Sequence, residues 1–360
     1  MKPTQRLREA GQSLWLDNIT RKLLTSGTLK RYIDELSITG LTSNPTIFDH
    51  AISKSTDYDA AIRKKMQEGK SGEDLFFELA IEDLTEAADL FRPIFDKTDG
   101  VDGWVSLEVS PKLAYDTKST IAQAKQLHAR AARPNLFIKI PGTKEGLPAI
   151  EEAIFAGVPI NVTLLFSRGH YVAAADAYMR GIERRIAAGL NPNVRSVASV
   201  FISRWDKAVS GKVPAELKDQ LGIAVAKRTY RSYRGLLASD RYQRLSNAGA
   251  RPQRLLFAST GTKDPEASDV LYITSLAAAN TVNTMPEATL LAFANHGEVG
   301  PLLTDDDNAE EMLAKLGRVG VDVSALASTL QTEGAKAFVD SWNDLLGTIA
   351  SKSEALKKAS

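Results

Sequence analysis

The chain has 360 residues, 43% hydrophobic and 25% charged, a balance that excludes disordered, collagen-like and low-complexity classes. Lys and Arg total 45 against 44 Asp and Glu, and a net charge of +1 gives no reason to expect nucleic-acid or anionic-membrane partners. Cysteine is absent, which excludes disulfides, thiol catalysis and Cys-ligated zinc or iron–sulfur centres; the four histidines (His50, His128, His170, His296) are widely separated and form no HExxH pair.

The opening segment, MKPTQRLREAGQSLW, lacks an apolar stretch of signal-peptide length. The longest charge-free run, residues 270–286, is shorter than a bilayer span. The expectation is a soluble, cytoplasmic protein with no membrane partner.

Along the chain, short β-rich runs are predicted at 13–19, 40–44, 103–110, 136–140, 159–166, 196–202, 253–259 and 280–284, with helical patterns between them. FIKI, VTLLF and RLLFAS are apolar on both sides of the strand alternation, as in covered parallel sheets. Phe76, Ala80, Leu84, Ala87 and Phe91 mark one face of a helix predicted to stop before Pro93. Residues 302–349 are predicted helical, and the Phe338, Trp342, Leu345 and Ile349 face is open to packing across the barrel or against its rim. The lysine-rich tail SKSEALKKAS is predicted to fray. Eight strand–helix units point to the α/β class: a single (β/α)8 TIM barrel with additional C-terminal helices, one domain over 1–360. An open dinucleotide-binding sheet would carry GxGxxG after an early strand, and none is present; GTKEG and GTK are not Walker loops.

In such a barrel the reacting groups sit where strands end. Lys139, in LFIKIPGTKEG, is flanked by Phe137, Ile138 and Ile140 and is predicted buried. A lysine stripped of hydration favours its neutral amine, the nucleophile for a Schiff base with a carbonyl. A snorkelling lysine or a structural ion pair fits the same local sequence. Asp17 in SLWLDNI and Glu108 in WVSLEVSP are carboxylates embedded in apolar strands. They would either relay protons or neutralise the lysine. Three such charges on three strands favour chemistry, because stability alone would fill these layers with branched aliphatics.

Uncharged polar residues occupy similar places: Thr42, Ser43 and Asn44 before Pro45, Asn161 and Thr163 on one face of PINVTLLF, and Ser199 near the end of SVFISR. Taken singly they read as caps and turn formers. Arg204, Ser259 and Lys263 are candidates for holding an anion, since barrels often bind phosphate at their late loops and arginine offers a matching fork. Taken alone, the arginine and the lysine read more readily as ordinary solvent-facing charges.

Together, LWLDNI, GLTSNPTIF, WVSLEVSP, LFIKIPGTKEGLPAI, PINVTLLFS, SVFISRWD and LLFAST resemble the transaldolases in order and spacing, from about residue 13 to residue 290. The resemblance implies a class I Schiff-base transferase of the non-oxidative pentose phosphate pathway. It would move dihydroxyacetone from sedoheptulose 7-phosphate to glyceraldehyde 3-phosphate, giving erythrose 4-phosphate and fructose 6-phosphate. The implied partners are sugar phosphates, with no metal or organic cofactor, in a monomer or homodimer. The resemblance assigns the Schiff base to Lys139, acid/base work to Asp17, water orientation to Glu108 and the proton relay to Thr163. It assigns the dihydroxyacetone portion to Asn44, Asn161 and Ser199, with Thr42 nearby, and the phosphate to Arg204 and Ser259.

One departure stands out. Many transaldolases carry a second phosphate arginine where this chain has Gly261, so Lys263 is the expected substitute, supplying charge without the bidentate fork. Phe201 sits where the family has phenylalanine and related fructose 6-phosphate aldolases have tyrosine, which favours transfer over simple cleavage. Two alternatives stay open: a Schiff-base aldolase releasing free dihydroxyacetone, and a non-catalytic sugar-phosphate-binding barrel.

Overall fold

A computed structural model describes residues 1–304 and 308–358. Eight strands run β1 (Ser13–Asp17), β2 (Ile38–Thr42), β3 (Val105–Glu108), β4 (Leu136–Pro141), β5 (Ile160–Leu165), β6 (Ser196–Phe201), β7 (Gln253–Ala258) and β8 (Val282–Met285), each displaced by at most two residues from its predicted ends. All pairings are parallel, in the order β2-β1-β8-β7-β6-β5-β4-β3. The ring closes between β2 and β3 at a single bridge, Gly40 to Trp104. There Leu41 N–H donates to Trp104 O (2.9 Å) and Gly103 N–H donates to Thr39 O (2.8 Å). This is the expected (β/α)8 barrel.

The period of two along each strand sorts side chains into two cores. Leu14, Leu16, Val105, Leu107, Ile138, Ile140, Ile160 and Val162 point outward and pack with the helices. Trp15, Trp104, Phe137, Val197, Leu256 and Val282 point inward and form a separate cluster. Both faces are buried, which is why the strand sequences read as apolar on both sides. Trp104 stacks on Phe137 (ring centroids 3.9 Å apart, planes 17° apart) and plugs the barrel at mid-height. Gly40 is required at the closure: a Cβ there would lie 2.6 Å from Trp104 O and 2.8 Å from the Trp15 indole.

Two local expectations are corrected. The helix predicted to stop before Pro93 runs Gly72–Lys97, with the proline inside it. Proline removes one N–H and leaves the carbonyl four residues back unpaired; Pro93 and Asp89 are both exposed, so solvent can satisfy that carbonyl. The predicted face from Phe76 to Phe91 is buried as expected. The tail does not fray within the described residues: the last helix continues to Lys358, with Leu356 buried and the Lys352 ammonium bound to the Ile52 and Ser55 carbonyls and to Asp59 (3.0 Å). Ala359 and Ser360 lie outside the described residues.

The predicted helical stretch 302–349 resolves into Ala309–Arg318 and Val323–Lys358, with residues 301–304 non-helical and 305–307 outside the described residues. The long helix packs both ways that the sequence left open. Gln331 Nε2 donates to Gly142 O (3.1 Å) and Leu164 O (3.0 Å) across the C-terminal mouth. Further on, Trp342 meets Phe76 edge-to-face outside the barrel (centroids 4.9 Å apart). No helix among the described residues is long and apolar enough to cross a membrane.

Candidate active site

Strand register gathers the buried charges into one layer. Glu108 lies opposite Lys139, and Lys139 opposite Asn161, across β3, β4 and β5; Asp17 lies opposite Thr42 across β1 and β2. Lys139 is the one buried lysine among the described residues, only 6% exposed. Its Nζ donates to Ser43 O (2.9 Å) and sits 3.5 Å from Glu108 Oε2. Asp17 Oδ1 accepts from Thr42 Oγ1 (2.7 Å), which is in turn 2.7 Å from Thr284 Oγ1.

Burial sets the acidity of both carboxyls. It pushes Asp17 above the usual carboxylate range, against the opposing pull of Lys139, the Thr42 hydrogen bond and Lys263. Burial likewise raises Glu108; Lys139 opposes it and the neighbouring Asp17 charge adds to it. Both groups therefore hold their protons to higher pH than surface acids do.

The polar neighbours divide into lining and backing. Asp17, Thr42, Asn44, Lys139, Thr163 and Ser199 line one cleft at the C-terminal mouth. Glu108 and Asn161 stand behind it. Asn161 donates to Ser106 Oγ (3.1 Å) and accepts from Ser199 Oγ (2.7 Å), so its amide is fixed by neighbours on both sides. Asn44 fills both roles considered from sequence: its side chain caps the helix Pro45–Lys54 by accepting from Ile47 N–H (3.2 Å), and it faces the cleft. At the end of β5 the register against β6 slips between Val162 and Leu165, and Leu164 adopts φ 58°. Such a conformation costs about 1–3 kcal/mol at a leucine and persists only where packing over-determines it. Gln331 supplies part of that constraint. Beside the bulge, the buried Thr163 hydroxyl has no hydrogen-bond partner among the described residues.

The far end of the cleft is cationic. The Arg204 guanidinium lies over Phe201 (5.1 Å) and Phe338 (5.7 Å), and burial, partly offset by Glu108, pulls it below the usual arginine range. Ser259 takes φ 54° and places its hydroxyl 2.9 Å from Ser203 Oγ. A Cβ at Gly261 would fall 2.9 Å from the Pro286 ring, so this backbone has no room for a side chain there. Lys263 lines the same cleft from its loop, close enough to act on Asp17.

Four participants were not assigned to the site from sequence. Thr284 ends its predicted strand, the same signal that marked the others. Ser106 alternates with Glu108 and so shares its face. Phe338 was read from sequence only as part of a packing face, and Gly334 had no local signal: the last helix lies close on Arg204, where a Cβ at residue 334 would meet Arg204 Nη1 at 3.1 Å.

A family model described as transaldolase/fructose-6-phosphate aldolase matches residues 14–349. The chain belongs to this family. Curated relatives named transaldolase include those of Parafrankia sp. (strain EAN1pec), 45% identical over 358 residues and covering 97% of each chain, and of Thermobifida fusca (strain YX), also 45% identical with 97% of each chain covered. That of Arthrobacter sp. (strain FB24) is 42% identical over 99% of both chains. The family match covers all the barrel strands except the first residue of β1, and all the candidate residues.

Proposed function

We propose that the chain is a transaldolase of the non-oxidative pentose phosphate pathway, moving dihydroxyacetone from sedoheptulose 7-phosphate to glyceraldehyde 3-phosphate through a Schiff base on Lys139. One observation carries this reading: a buried lysine held against a buried carboxyl, facing a cleft that also holds Asp17.

Lys139 passes its proton to Glu108, and the free amine adds to the ketose carbonyl carbon. The carbinolamine hydroxyl leaves as water: the Thr163 hydroxyl relays the proton back from Glu108, which orients the departing water. The resulting iminium is an electron sink. Asp17 takes the C4 hydroxyl proton, the C3–C4 bond breaks, erythrose 4-phosphate leaves, and an enamine remains on the lysine. That enamine adds to the aldehyde carbon of glyceraldehyde 3-phosphate while Asp17 returns its proton to the new hydroxyl. Water then hydrolyses the iminium and releases fructose 6-phosphate. Asn44 and Ser199, with Thr42, hold the three-carbon unit; Asn161, expected from sequence to share that role, stands behind the cleft and acts by fixing the Ser199 hydroxyl. Arg204, Ser259 and Lys263 hold the phosphate, whose binding energy aligns the reacting end.

Phe201, with no ring hydroxyl to protonate the enamine, supports transfer over cleavage. Incubation with fructose 6-phosphate and erythrose 4-phosphate is expected to yield sedoheptulose 7-phosphate, with little free dihydroxyacetone when the acceptor is omitted. Release of dihydroxyacetone at a comparable rate without acceptor would make the chain an aldolase instead. Arg204→Gln is expected to raise KM for glyceraldehyde 3-phosphate about tenfold or more, from a lost charge-assisted pair, and to spare unphosphorylated glyceraldehyde. Equal losses with both acceptors would reject the phosphate assignment.

A further inference from the structure

A second cavity, of about 460 Å3, opens at the N-terminal mouth of the barrel, at the opposite end of the strands from Lys139. The stacked Trp104 and Phe137 rings lie between the two and form its floor. Its size falls within the range of small-molecule sites.

The charges around it are unbalanced. Arg8, Arg195 and Arg254 line it, against one carboxylate, Asp102. Asp102 is already engaged, accepting from Trp15 Nε1 (2.9 Å) and Ser13 Oγ. Arg254 is fixed in place by Val101 O (3.0 Å), Thr281 O (2.9 Å) and Ser13 Oγ (2.7 Å). Arg195 is buried to 12% side-chain exposure and donates to Asp99 O. The Asp99 carboxylate is 3.8 Å away, largely exposed, and shared with Arg251 at 3.0 Å. Burial, followed by repulsion from Arg251, lowers the Arg195 guanidinium from its usual range, as expected where cations outnumber anions. Arg8, on the helix Pro3–Glu9, is exposed and makes no ion pair among the described residues.

We propose that this mouth binds a small organic anion, its oxyanion head held by Arg8, Arg195 and Arg254 and its apolar body resting against Val101, Val197 and Leu237. Guanidinium groups match the geometry of oxyanions. The apolar wall distinguishes such a ligand from a bare inorganic ion, which would leave that surface wet. The site is separate from the sugar-phosphate cleft and does not depend on the reaction proposed there.

The test uses 8-anilinonaphthalene-1-sulfonate, a sulfonate on an apolar ring system, titrated fluorimetrically into the full chain with fructose 6-phosphate present in excess. One saturable site is expected, with Kd raised tenfold or more in Arg8→Gln/Arg195→Gln. Arg8→Gln alone, at an exposed position with no ion pair among the described residues, is expected to raise it about threefold. Phenyl phosphate is expected to displace the dye at concentrations where inorganic phosphate does not. Absence of saturable binding, an unchanged Kd in the variants, or equal displacement by the two phosphates would overturn the proposal.

Discussion

Lys139, Asp17 and Glu108 form a coupled set in which burial raises both acids and the lysine charge restrains them. A base must ionise before it accepts a proton, so kcat is expected to rise with pH through a limb lying above the ordinary carboxylate range. Asp17→Asn is expected to lower kcat by about 10²–10⁴ with little change in KM, the scale of a lost general acid–base group. A steady-state pH profile checks both statements, and an unchanged kcat would remove Asp17 from the chemistry. Asp206 shows the same physics in a structural role. It accepts from Leu221 N–H (2.9 Å), Gly222 N–H (3.2 Å) and Tyr272 Oη (2.8 Å), yet burial outweighs these bonds and pushes it up to about 6. The native state therefore binds more protons than the unfolded chain between the ordinary value and about 6. Its contribution is complete at low pH and is lost as pH rises through that window, on the order of 3 kcal/mol in all. Urea unfolding at pH 4.5 and 7 is expected to show a smaller fall in stability for Asp206→Asn than for the parent; equal falls would contradict the assignment.

At the scale of elements, the barrel closes where β2 and β3 approach over an indole. Gly40→Ala places a methyl against the Trp104 carbonyl and the Trp15 ring, and is expected to lower stability by about 1–3 kcal/mol, the usual cost of overpacking. A shifted urea midpoint at unchanged slope checks it, and an unchanged midpoint would show that the closure can relax. The strands were legible because each carries a period-two pattern that needs no tertiary context. Lys139, Asp17 and Glu108 were legible for the related reason that each breaks an apolar run. Pro93 misled because local chemistry cannot tell that its ring and the freed Asp89 carbonyl lie on the exposed side of a helix held by its other face. Strand register sets Glu108 and Asn161 on either side of Lys139 in one layer, but which of the three side chains reaches the cleft depends on three-dimensional packing and is invisible along the chain.

Across the whole molecule, the inward-facing side chains change character along the barrel axis: arginines at the N-terminal mouth, stacked aromatics at mid-height, then carboxyls, hydroxyls and one lysine beneath the last helix. That helix reaches the site from the far end of the chain, so Gly334 and Phe338 gain meaning only when tertiary packing sets them beside Arg204. On the mechanism proposed for Lys139, the aromatic layer beneath the lysine and the helix over part of the mouth would limit water access and so let an enamine last until an acceptor arrives. Borohydride reduction in the presence of fructose 6-phosphate, followed by peptide mapping, interrogates that chemistry at the atom where it occurs. A stable three-carbon adduct on Lys139, absent from Lys139→Gln, is the expected result. Modification of a different lysine, or turnover by the Lys139→Gln chain at the parent rate, would contradict it.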